Sequence, residues 1–468
     1  MHDMSEDPAA TRRNPFAPDS ALAGQSRLVL AAVRRLLRHL SLDLSPLRDS
    51  RDYRLLFGSG VITMFGTMIS MVAVPYQMKE LTDSYLAVGL VSLAEFVPMV
   101  VCGLWGGAIA DALDRRRIIW LSELGLLVTS AALMINAMLP DPQVWVLYVM
   151  GALATGVGSL QRPSLEAVIQ QVVKHEQQSA AAVLSSLRWN FGAIVAPALG
   201  GLMLTAWGTA SAYALDTLTF VLSLVLLWRV RAIPPADDAA PASIRSLIEG
   251  VRYAVSRKDL MGTYLVDIAA MVFAMSTALY PFLAEELRAP EALGLLYSAA
   301  AVGALIASLT GRWTARVQRQ GLGVIVAAAA WGVAVTLTAF APSVWMIFVC
   351  LAFAGAADMI SGIFRLTMWN QTIPPELRGR LAGIELLSYA SGPMLGNARA
   401  GLMANFGGTR FSLGAGGALC VAAVLALAAA LPRFRAYDAR TDEHALAEKA
   451  RRQAATDQAP TDPAQAPA

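Results

Sequence analysis

Residues 344–369 read VWMIFVCLAFAGAADMISGIFRLTMW, an apolar run interrupted by only two charges, Asp358 and Arg365. Roughly 20 such residues, rising ~1.5 Å each as a helix, cross the ~30 Å hydrocarbon core of a bilayer. Backbone polar groups in lipid must be satisfied within the segment, so a run of this kind predicts a membrane-crossing helix. The two charges inside it are costly there, and each needs a partner or a task.

Similar runs lie on either side of this one. Before it stand 55–78, 86–110, 118–139, 144–169, 181–206 and 210–228, then 259–283, 292–313 and 322–340. After it come 381–404 and 411–431. The polar stretch 229–258 separates six runs from six. Composition agrees: of 468 residues, 56% are hydrophobic and 15% charged, against about 25% charged in soluble domains. Mean hydropathy is +0.52. The expected fold is all-α and integral to the membrane, with twelve transmembrane helices in two pseudo-symmetric six-helix bundles. The expected boundaries are a tail at 1–50, a first bundle at 51–231, a linker at 232–258, a second bundle at 259–431 and a disordered tail at 432–468.

Basic residues set the orientation. One set of connections holds Arg115–Arg117, Lys174, the linker arginines 229, 231, 245, 252 and 257, then Arg312, Arg316, Arg319, Arg378, Arg380, Arg433 and Arg435. The alternate set holds only Lys79, Arg288 and Arg410. An excess of Lys and Arg marks cytoplasmic loops. Both termini and the linker are therefore expected in the cytoplasm of a bacterial cell, with the spans in its inner membrane. The first residues are polar and Pro-rich with no early apolar segment, unlike a signal peptide. Stretches 27–40 and 244–255 each carry an apolar stripe and basic residues. Each is expected to be an amphipathic helix lying on the bilayer or packed beneath the bundle.

Two proline motifs match between the halves: Ala196-Pro197-Ala198-Leu199-Gly200 and Gly392-Pro393-Met394-Leu395-Gly396. Such internal repeats fit a transporter whose site lies near the midplane between two bundles. After the second run comes Gly106-Gly107-Ala108-Ile109-Ala110-Asp111-Ala112-Leu113-Asp114-Arg115-Arg116-Arg117. Its small residues allow close helix approach, and Asp111 sits at a helix end where a carboxylate can latch a neighbour. In the fifth run stands Gly192-Ala193-Ile194-Val195-Ala196-Pro197-Ala198-Leu199-Gly200-Gly201, in which Pro197 removes a backbone donor and favours a kink.

The turn at 107–117 resembles the GxxxD-R-x-G-R-R/K signature of the major facilitator superfamily. Gly107, Asp111, Arg115 and Arg116 match it, whereas Ala112 and Asp114 depart from it. The stretch 192–201 is similar to the exporter signature of that superfamily through Gly192, Pro197, Gly200 and Gly201, with Ala196 for a glycine. Further strings resemble the bacterial enterobactin-exporter branch, which also includes macrolide-efflux relatives: Val74-Pro75-Tyr76-Gln77, Leu279-Tyr280-Pro281-Phe282 and Leu377-Arg378-Gly379-Arg380. The resemblance implies rocking-bundle transport outward, by antiport, with Asp111, Arg115 and Arg116 in a conformational gate. An arginine that many proton-coupled relatives carry early in the fourth span is absent, since Val146–Ala152 holds none.

Candidate site residues are the ionisable groups within the spans. At ~1.5 Å per residue, Glu95 lies about 14 Å from the outer end of its span, Asp267 about 12 Å from the inner end and Asp358 about 20 Å from the outer end. These three, with Arg365 and Asp216, are the expected cargo and coupling residues, protons being the expected coupling ion. Each acid has a blander reading as a structural hydrogen-bond or ion-pair partner. Arg365 is expected to snorkel without touching Asp358, and Arg399 to pair with Asp216. Among the aromatic residues, Trp189, Phe191, Tyr213, Tyr280, Phe364 and Trp369 are read as packing before pocket.

The expected partners are therefore a small-molecule cargo, the bilayer and protons; nucleic acid is not among them. Two cargo readings stay open, a siderophore-like amphipathic molecule and a looser multidrug or macrolide-type set. A transporter-like sensor and a membrane enzyme are the other classes. The sequence has no HExxH, no Walker-type GxxxxGK[ST] and no clustered nucleophile and histidine. Cys102, Cys350 and Cys420 stand singly in apolar runs, so no cofactor, disulfide or metal is expected.

Overall fold

The chain is described from a computed structural model over residues 43–112, 114–231, 252–253 and 255–457. The expected amphipathic helices at 27–40 and 244–255 lie wholly or largely outside those residues, as do the side chains of Gly107 and Asp111. Ten described helices are long and apolar enough to cross a membrane, and no strand is found among the described residues. They are α1 (Arg51–Thr82), α2 (Tyr85–Ala112), α3 (Arg115–Met138), α4 (Val144–Val172) and α5 (Gln178–Trp228). After the linker come α6 (Lys258–Ala274), which reaches crossing length only with its continuation to Glu286, then α7 (Leu293–Thr310), α8 (Gln320–Thr338), α9 (Val344–Thr372) and α10 (Pro375–Ala430).

The two longest helices each contain one non-helical residue. Gly208 in α5 has φ 75° and ψ 176°, and Gly408 in α10 has φ 78° and ψ 178°. That region of backbone space is open essentially to glycine alone. Each glycine therefore breaks a helix too long for one crossing, and the two sites fall in corresponding places of the two halves. Elsewhere polar side chains set the ends. The Ser50 hydroxyl accepts from the Tyr53 amide at 3.1 Å, Asp114 accepts from the Arg116 amide at 2.9 Å, and Ser343 accepts from the Met346 amide at 3.3 Å. Such caps satisfy backbone donors that have no partner inside the helix.

The proline motifs pack in matched ways. A Cβ on Gly192 would overlap Met64, and one on Gly200 would lie 3.3 Å from the Ile69 Cα, both on α1. In the second half, Gly392 and Gly396 press in the same way on Met271 and Met275, at the end of α6.

The chain after residue 431 departs from the disordered tail expected of it. Pro432–Arg435 and Glu443–Asp457 are helical. Phe434 is fully buried in a seat made by Gly262 of α6 and Gly321 of α8. The Tyr437 hydroxyl donates to Gln371 Oε1 at 3.1 Å, and Arg452 donates to the Asn370 carbonyl at 2.7 Å, closing the end of α9. The polar composition of the segment hides two buried aromatic residues, Phe434 and Tyr437, and a helix cap. Replacing Phe434 by alanine should cost about 3–5 kcal/mol. A lowered melting temperature of the detergent-solubilised protein checks this; an unchanged one means the segment is not docked.

Candidate transport site

Helix α9 carries the centre of the site. Arg365 of α9 forms an ion pair through Nη1 with Asp267 Oδ1 of α6, and its Nη2 stands 3.9 Å from Asp358 Oδ1. The side chains of Asp267 and Arg365 are 5% and 10% exposed, whereas Asp358 is 37% exposed. This corrects two expectations. Arg365 does not snorkel away, and it does reach Asp358. Seven residues separate the two along one face, and the long guanidinium arm spans the rise that separates their backbones. Asp358 thus keeps one side open while Asp267 is enclosed.

Asp216 and Arg399 do not pair. Asp216 Oδ2 accepts from the Ser70 hydroxyl at 2.7 Å and the Ser130 hydroxyl at 3.0 Å, which ties α5 to α1 and α3. A side chain on Gly66 would overlap Asp216, so the glycine makes room for this carboxylate. Arg399 turns to backbone instead. It donates to the carbonyls of Val272 at 3.2 Å, Met275 at 3.0 Å and Ser412 at 3.3 Å. The reason is a break in the seventh span, which the sequence presents as one run. Helix α6 stops at Ala274, a 3-10 turn covers Thr277–Leu279, and Tyr280–Glu286 is helical again. Asn397 Oδ1 accepts from the Ala278 amide at 3.0 Å and the Thr277 hydroxyl at 3.1 Å. A broken helix at membrane depth survives only where its freed backbone groups find such partners. Replacing Arg399 by leucine should cost about 1.5–3 kcal/mol, because a charge-assisted bond set is lost. Arg399→Lys should recover part of it; equal melting temperatures for wild type and Arg399→Leu contradict the assignment.

Glu95 of α2 lies against Gly151 of α4, where a Cβ would be 3.0 Å from Glu95 Oε1. It makes no hydrogen bond or ion pair to any described residue, and it stands apart from the Asp267–Arg365–Asp358 cluster. Of the residues expected in a gate, Arg115 is buried and Arg116 donates to the Trp228 carbonyl at 2.7 Å, at the end of α5. Tyr213, Tyr280 and Phe364 are buried packing, and Trp369 stacks on Tyr264 at 5.1 Å. Trp189 and Phe191 are exposed.

Sequence reasoning missed how the helices before residue 231 meet those after residue 258. At the arginine-poor end, Gly89 of α2 crosses Gly401 of α10 so closely that a Cβ on either would press on backbone. Gly201 of α5 crosses Gly294 of α7 in the same way, and the Ser298 hydroxyl donates to the Ile194 carbonyl at 2.6 Å. Lys79 pairs with Glu285 at 2.6 Å, and the Tyr85 and Phe282 rings lie 4.2 Å apart. The signal was present as glycines in apolar runs, but glycine alone does not name its partner helix.

At the arginine-rich end the same helix stripes are bare. On α5, residues 183, 187, 191, 194, 198 and 201 share one face by helical spacing. Its last members meet α7, whereas Val183, Leu187 and Phe191 are 50%, 42% and 61% exposed. The facing stripe of α7 ends in Leu309, also exposed. On this helix pair the described residues are packed together near Gly201 and Gly294, and the stripe residues toward the other end are exposed.

These features define a polytopic membrane transporter. The family described as transmembrane secretion effector, of the major facilitator class, matches residues 41–461. The chain belongs to that family and is a secondary transporter of small molecules. It is 28% identical to an enterobactin exporter of Escherichia coli O1:K1 over 362 residues, 77% of this chain and 87% of the relative. It is 29% identical to an enterobactin exporter of Shigella boydii over the same shares. In fold it is similar to a bacterial homologue of the iron transporter ferroportin in an inward-facing state, with TM-score 0.63, 17% identity, 82% of this chain and 98% of that one. The nucleoside transporter NupG is similar at TM-score 0.62 and 12% identity, over 82% of this chain and 99% of that one.

Proposed function

We propose that the chain is an exporter of a small amphipathic molecule of the siderophore type, working from the cytoplasm of a bacterial cell by alternating access and proton antiport. Counting α5 and α10 as two crossings each, broken at Gly208 and Gly408, gives twelve spans in two bundles. The arginine-rich end, and with it both termini and the linker, then faces the cytoplasm. The exposure of Val183, Leu187 and Phe191 at that end supports an inward-facing conformation.

The observation that carries the reading is the Asp267–Arg365–Asp358 cluster, which joins α6 to α9 beneath the packed outer end. An ion pair enclosed in the membrane span has little structural economy, because desolvation offsets most of its attraction. Asp358, which keeps an open side, is the group from which a proton exchanges. Arg365 then redistributes between the two acids as the bundles rock. Glu95 is a second acid on the cargo side of the first bundle, and Asp216 braces that bundle through Ser70 and Ser130.

The test is made in an Escherichia coli strain lacking its own enterobactin exporter. Expression of this chain should restore enterobactin in the medium, and Asp358→Asn should abolish the restoration while the protein still reaches the membrane. Restored export that is unaffected by Asp358→Asn would remove the coupling role. No restoration, with intact efflux of macrolides, would move the cargo to the multidrug class.

A further inference from the structure

Arg188 of α5 stands about 15 Å along the helix from its arginine-rich start at Gln178, inside an apolar run. Its guanidinium occupies a notch on α1 that exists because residue 60 is glycine, and a Cβ there would overlap it. The guanidinium carbon lies 5.9 Å from the centre of the Phe57 ring. No carboxylate pairs with it among the described residues, and its Nε is buried with no hydrogen-bond partner.

Other arginines enclosed in the helices are answered. Arg365 has Asp267 and Asp358, Arg399 has three backbone carbonyls, and Arg257 has Asp259. An unanswered cation within the hydrocarbon span is expensive, and such groups mark substrate paths. The surroundings fit that reading. Phe191, one turn along from Arg188, is exposed on the α5 stripe that farther along meets α7, and its ring lies 6.1 Å from Phe65 of α1.

We propose that Arg188, seated in the Gly60 notch and flanked by Phe57, Phe65 and Phe191, is a binding site for an amphipathic organic anion. The guanidinium takes the carboxylate, phenolate or sulfonate in a charge-assisted fork, and the rings take the apolar body. The inference deepens the export reading and rests on it for the statement that this anion is cargo. Anionic lipid headgroups share the chemistry, but the depth of Arg188 in the span favours a free molecule.

The test uses full-length protein in POPC nanodiscs, titrated by fluorescence with dansylglycine, an aromatic carboxylate, and with its neutral amide. Arg188→Gln should weaken dansylglycine binding about tenfold or more, the loss of one charge-assisted contact, and leave the amide within about twofold. Arg188→Lys, which keeps the charge and loses the fork, should retain only part of the affinity, between wild type and Arg188→Gln, and Gly60→Ala, which displaces the guanidinium without removing charge, should weaken the anion selectively. Equal losses for anion and amide, or no binding of dansylglycine by the wild type, overturn the proposal. So does loss of dansylglycine binding when POPC is replaced by anionic POPG, which assigns the site to headgroups. Selective anion binding that depends on Arg188, in a protein that fails to restore enterobactin export, leaves the anion site standing and sinks the cargo reading.

Discussion

Asp267→Asn should be the most damaging single substitution in the site. Removing this carboxylate leaves the Arg365 guanidinium enclosed, with only the more distant Asp358 to answer it. Breaking a buried ion pair from one side costs about 3–5 kcal/mol, far more than the net worth of the pair, because the surviving charge keeps its desolvation penalty. The expected result is a large drop in melting temperature and loss of export. The double variant Asp267→Asn, Arg365→Gln removes both charges and should be more stable than Asp267→Asn alone, while export stays absent. That crossing of stability and activity is what separates a coupling pair from a structural one. If the double variant regains export, the pair serves only to hold α6 against α9, and the coupling role is wrong.

The cluster also shows how far sequence reasoning reaches. Hydropathy alone gives an all-α chain of many long apolar helices, because that is a property of single segments in a bilayer. The acids were visible as costly residues, and their depth along each helix ranked Glu95, Asp267 and Asp358 above the rest. Depth is one coordinate, however. It does not give the rotation of one helix about another, so it left Arg365 unpaired and matched Arg399 to Asp216. Both errors have one cause: an arginine side chain reaches well beyond its own turn. It settles on whatever acceptor the neighbouring helix offers, a carboxylate for Arg365 and freed carbonyls at the α6 break for Arg399. That break carried one signal, Pro281 at the first turn of the resumed helix, which went unread because Met275 and Ser276 do not themselves interrupt the apolar run. Phe434 and Tyr437 were illegible for the opposite reason, two isolated anchors in a polar segment. The glycine crossings were legible as composition and not as pairings.

Those crossings carry the second large effect. At Gly294 an added Cβ meets the backbone of Pro197 and Ala198, with the Ala198 carbonyl at 2.7 Å and its Cα at 2.8 Å. Backbone cannot rotate aside as a side chain can, so Gly294→Val must separate α5 from α7 where the halves are packed. Overpacking of this kind costs about 1–3 kcal/mol, and here the cost falls on one conformation alone, the one closed at the arginine-poor end. A penalty borne by one state moves the equilibrium toward the other by that full amount, about 5- to 150-fold in population. The expected outcome is a transporter trapped open at the arginine-poor end, folded and membrane-inserted but unable to complete its cycle. Spin labels at Met138 and Phe340, exposed at that end on opposite halves, report it in a background lacking Cys102, Cys350 and Cys420. The distance between them should lengthen in Gly294→Val and change less in Gly294→Ala, with export falling in the same order. The Gly201 crossing predicts the same from the other side: Gly201→Val presses on Gly294 and should reproduce the phenotype, and combining the two should add little, since one wedge already parts the pair. Unchanged distances together with unchanged export would show that α5 and α7 separate without consequence and that the closure lies elsewhere, at Gly89 and Gly401.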